Sequence, residues 1–65
     1  MVRYKVYSCS TDGRRLAAHC IGRCKDIRAA YAILERERIE PIPGIVQSVA
    51  VWSIHDKEIV ARKSG

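Results

Sequence analysis

The sequence predicts an α+β fold: a single small domain in the order β-β-α-β-β, with an antiparallel four-stranded sheet and one helix packed on one face. Three observations lead there. Segments rich in β-branched and aromatic residues lie toward both ends of the chain. One segment with apolar residues at helical spacing lies between them. The turn-forming stretches STDG, PIPG and HDKE separate these segments. A chain of 65 residues has room for one core only, so residues 1–65 are read as one domain.

The first strand is VRYKVYS, Val2 to Ser8, which alternates apolar and polar residues. Val2, Tyr4 and Val6 point one way, and Arg3, Lys5 and Tyr7 the other. RRLAAHCI, Arg14 to Ile21, is the second strand. Thr11, Asp12 and Gly13 suit a three-residue hairpin loop, whose last position favours the left-handed conformation that glycine adopts without steric cost. That loop pairs Ser10 with Arg14, Ser8 with Leu16, Val6 with Ala18 and Tyr4 with Cys20, and so collects the even positions into one apolar face. A two-residue Asp12 and Gly13 turn would set Leu16 and Ala18 beside Arg3, Lys5 and Tyr7 and scatter the apolar residues over both faces, so the three-residue loop is expected.

The helix runs from Lys25 or Ile27 to Glu40, with Ile27, Ala30, Tyr31 and Leu34 as its buried stripe and Asp26 as its cap. Pro41 ends it, and PIPG turns the chain back. IVQSVAVWSI, Ile45 to Ile54, is apolar on both parities and reads as a strand covered on both sides. HDKE leads into the last strand, Ile59 to Arg62. A single helix covers one face of such a sheet, so Val49 and Val51, if they lie opposite it, need a second cover, for which a homodimer is the natural candidate.

Net charge is +5 and unevenly placed, with seven Lys or Arg against two Asp in residues 1–28. Such asymmetry points to an anionic partner. No apolar run approaches the roughly 18 residues that span a membrane, so no membrane partner is expected. MVRYKVY lacks the apolar core of a secretion signal, and three irregularly spaced cysteines do not form a disulfide framework, so a cytoplasmic location with free thiols is expected.

AAHCIGRCKD, Ala17 to Asp26, holds a histidine and two cysteines and raises the question of a metal site. In the expected register Cys9 and Cys20 face opposite ways, roughly 16 Å apart, which excludes a shared ion. Cys24, at the helix start beside Arg23 and Lys25, is read as filling for the core. His55 and Asp56 fall in a turn without an accompanying nucleophile, and the glycines Gly13, Gly22, Gly44 and Gly65 are too dispersed for a phosphate loop. Neither catalytic residues nor a metal or other cofactor are therefore expected; the chain is read as a non-enzyme.

The remaining signal is the outward side of the first hairpin: Arg3, Lys5, Tyr7, Arg14, Arg15 and His19. Clustered cations repel unless an anion balances them; a two-stranded ribbon fits the major groove, arginine can grip guanine or phosphate, and tyrosine can stack on an unpaired base, so this basic face is assigned to DNA or RNA. The alternative is a protein-interaction module, a small inhibitor or adaptor and a homodimer, working through Val49, Val51 and Trp52.

Overall fold

Each strand-like segment of the sequence becomes a strand, and the apolar stripe between them becomes a helix. In the computed structural model, which describes residues 1–64 and leaves Gly65 outside, the elements are β1 (Tyr4–Thr11), β2 (Leu16–Cys24), α1 (Ile27–Arg36), β3 (Val46–Ser53) and β4 (Glu58–Ser64). The strands form one antiparallel sheet in the order β2-β1-β3-β4, with α1 connecting β2 to β3. The fold is thus the expected α+β arrangement. Among the described residues no helix is long and apolar enough to cross a membrane.

The core lies between α1 and the two central strands. Val6 on β1 stands opposite Val51 on β3, and both are buried together with Val49, Cys24, Ala30 and Leu34. Around them pack Tyr4, Ile21, Ile27, Ile33, Ile39, Val60 and Ala61. Fully burying a valine is worth about 1.5–3 kcal/mol, so Val6, Val49 and Val51 hold the helix to the sheet. Val49 and Val51 therefore belong to the core beneath the helix and present nothing to a partner; the interface assigned to them from sequence is corrected here.

α1 starts where Asp26 caps it, its carboxylate accepting from the backbone N–H of Arg28 at 2.6 Å and of Ala29 at 3.3 Å. It stops at Arg36, short of the Glu40 expected from the position of Pro41. Glu37 is already extended, and Lys63 from β4 donates through its ammonium group to the carbonyls of Leu34, Glu35 and Glu37. A cation at the negative end of the helix satisfies carbonyls that the missing turn would have used. Tyr31, expected in the buried stripe, is 42% exposed, and Ile33 takes its place against the sheet. Gly22 makes room for it: the Ile33 Cδ1 lies 2.6 Å from where a Cβ on Gly22 would stand.

The first hairpin departs from expectation in its register. Thr11 pairs with Leu16, so the loop holds Asp12 to Arg15 and is one residue longer than the expected Thr11 to Gly13. The cause is Asp12, whose carboxylate accepts from the backbone N–H of Arg14 at 2.8 Å and of Arg15 at 3.0 Å. Thr11 Oγ1 accepts from the Gly13 N–H at 3.1 Å, and Gly13 takes φ 94°. Further along, a bulge sets Val6 opposite Gly22 but Tyr7 opposite Cys20, leaving Ile21 unpaired and packed on the core. Leu16, Ala18 and Cys20 therefore share a face with Thr11, Cys9 and Tyr7, whereas Tyr4 and Val6 face the helix. The expected gathering of Tyr4, Val6, Leu16, Ala18 and Cys20 on one side does not occur.

The two backbone N–H groups that bind Asp12 hold its carboxyl below the usual 3.8. A carboxyl depressed in the folded state stabilises the hairpin above its unfolded pKa, and that contribution is lost as pH falls through the folded value. An NMR titration is expected to place the Asp12 midpoint under 3.8, and Asp12→Ala to flatten the low-pH arm of the stability profile. Lys63→Met, which keeps the stem but removes the ammonium donor, is expected to cost about 1–2 kcal/mol in denaturant unfolding.

Candidate nucleic-acid interface

One helix leaves the other side of the sheet open. Antiparallel pairing places on that side Lys5, Tyr7, Cys9 and Thr11 from β1 and Trp52, Ala50, Ser48 and Val46 from β3. β2 adds Arg23, Cys20, Ala18 and Leu16, and β4 adds Ile59, Arg62 and Ser64. No strand residue of this set is a carboxylate: Glu58 pairs with Ser53 on the helix side.

The open face has two regions. At one end Lys5 lies between Arg23 on β2 and Trp52 on β3, with Tyr7 and Cys20 in the next row. Directly opposed like charges destabilise a sheet by a few tenths of a kcal/mol up to about 1 kcal/mol, so Lys5 and Arg23 form a cross-strand pair that an anion would relieve. Toward the other end lies a hollow of about 210 Å³, bounded by Cys9, Leu16, Val46, Ala50, Ile59 and Arg62. Its floor is low because Cys9, Ser48 and Ala50 are small, and its walls are apolar: Leu16 is 73% exposed, Val46 65% and Ile59 51%.

The residues assigned to the basic face from sequence do not all meet. Lys5 and Tyr7 stand on the open face. Arg3 immediately precedes β1, held by its N–H donating to the Cys24 carbonyl at 3.0 Å and its carbonyl accepting from Ile54 N–H at 2.9 Å. Arg14 and Arg15 are exposed in the turn, six residues along β1 from Lys5, which is roughly 20 Å. His19 pairs with Ser8 and so belongs to the helix side, exposed beyond the end of α1's cover. It is removed from the face to which it was assigned.

Arg23 and Arg62 were missed, and Trp52 was placed in a different surface. The bulge at Ile21 explains Arg23, because it reverses which side the last residues of β2 face. Gly22 was the readable signal, since an isolated glycine in a strand often marks a bulge. Comparison with known protein families, curated proteins and solved structures finds no match to this chain.

The same register corrects the reading of the cysteines. Cys9 and Cys20 share the open face as diagonal neighbours, because Cys9 pairs with Ala18 and Tyr7 with Cys20. Diagonal side chains start about 7–8 Å apart, half the separation expected from sequence. No third His, Cys, Asp or Glu joins them into a ligand set among the described residues. The Cys20 thiol donates to the Gly22 carbonyl at 3.2 Å, and Cys24 is buried in the core. In the last turn Asp56 accepts from the Ser53 hydroxyl at 3.0 Å and donates its own N–H to that oxygen at 3.2 Å, which commits the carboxylate to the turn beside His55. A thiol-labelling time course should find Cys20 modified first, Cys9 more slowly, and Cys24 only on the unfolding timescale; early labelling of Cys24 would contradict its placement in the core.

Proposed function

We propose that this chain is a small binding protein for nucleic acid that acts through the open face of its sheet, without catalysis and without a cofactor. One observation carries the reading: the face left bare by the helix holds Lys5, Arg23 and Arg62 and no strand carboxylate, with Lys5 and Arg23 directly opposed. Phosphates supply the negative charge that such a pair lacks. Tyr7 and Trp52 in the same rows add aromatic surface. Arg14 and Arg15 extend the positive field from the turn and Arg3 extends it at the opposite end, which is consistent with a chain of net charge +5.

A second reading, docking of another protein or of a second copy on the same face, draws on Leu16, Val46 and Ile59, which stand exposed around the hollow. Salt separates the two. Three phosphate contacts give a slope of log K against log salt of about −2, whereas an apolar contact hardly responds. Binding of an oligonucleotide, followed by fluorescence anisotropy, is expected to fall more than tenfold on the double reversal Lys5→Glu with Arg23→Glu, while Arg14→Glu with Arg15→Glu weakens it less. Full binding retained by the Lys5 and Arg23 variant, with its circular dichroism unchanged, refutes the assignment.

A further inference from the structure

Resting on that reading, we infer that the ligand is a single strand, held by its bases lying flat on the sheet, and not a duplex gripped by its backbone. The basis is the placement of the two aromatic side chains relative to the cations. Tyr7 pairs with Ala50, and Lys5 with Trp52, so Tyr7 and Trp52 are diagonal neighbours on adjacent strands of the open face. Diagonal positions lie about 7–8 Å apart, a span that successive unstacked bases can bridge. Both side chains are partly exposed, which leaves ring surface available. Lys5 and Arg23 stand in the row of Trp52, and Arg62 stands beside Ala50 one row further on, so cations accompany the aromatic pair on both sides.

The hollow continues the same track. Ala50 precedes Trp52 by two residues, roughly 6.6 Å along the strand, and lies in the hollow of about 210 Å³ whose walls include Leu16, Ile59 and Arg62. A base leaving Trp52 meets an apolar recess with a guanidinium at its rim. A duplex gives the two aromatic rings no base face to stack on: its base faces are stacked inside, and it presents only groove edges and phosphates. Charge complementarity selects an anionic strand, and the exposed aromatic faces select one whose bases are unpaired.

Trp52 is the only tryptophan of the chain, so its fluorescence reports the contact directly. Oligouridylate, oligothymidylate and a blunt DNA duplex of equal length serve as probes at one salt concentration. Quenching of the emission by either single strand, with affinity at least about tenfold above the duplex, is the expected result, since stacking is worth roughly 1–3 kcal/mol per base. Trp52→Leu and Tyr7→Leu should each reduce single-strand affinity several-fold while leaving duplex binding unchanged. Equal or stronger duplex binding, or single-strand binding without quenching, overturns this inference and leaves the nucleic-acid reading standing. Absence of binding to all three probes at low salt overturns both.

Discussion

The ladder between β1 and β3, with Val6 opposite Val51 beneath Ala30 and Leu34, is the constraint from which the rest of the molecule follows. A chain this size can cover that ladder only once. Ten helical residues do so from one side, and every further apolar or charged side chain of the central strands must go to the other. The bare face is therefore a consequence of the core, and its chemistry is what the strand parities leave over.

Two irregularities sort that remainder. On β2 the bulge admits Ile21 to the core and turns Arg23 outward; had the hairpin register continued unbroken, Arg23 would face Tyr4 under the helix. On β4 a shift between Val51 and Trp52 does the same for Val60, which packs inward while Ile59 joins the open side. Each edge strand thus contributes one extra residue to a thin core, and each gives up regular pairing to do it. The helix end shows a related economy: Lys63, on the side of β4 that faces inward, reaches the last carbonyls of α1 in place of a further turn.

Element order, fold class and the Asp26 cap were legible in the sequence because they rest on local chemistry: alternation, helical spacing, a capping carboxylate. The register of the first hairpin was not. Leu16, Ala18 and Cys20 could be joined to Tyr4 and Val6 into one apolar face, and that tidy grouping favoured a shorter loop than Asp12 allows. Long-range contacts decided otherwise: the core takes Ile21, Gly22 and Cys24 from β2, and leaves Leu16 in solvent. Val49 and Val51 were misassigned for the same reason. Both parities of β3 are apolar, and the sequence carries no mark of which one meets α1. Of the candidate site, Lys5 and Tyr7 were readable by alternation alone, whereas Arg23 and Arg62 needed the pairing of edge strands.

The strand order has a bearing on how the chain reaches this state. β1 sits inside the sheet, yet its second neighbour, β3, comes from the far half of the sequence. The amino-terminal hairpin can close early, but it then waits with one ribbon of unsatisfied amides and carbonyls until the remainder arrives. Ribosomal synthesis prolongs that wait, and the vacant flank of β1 is where misassembly between nascent copies would begin.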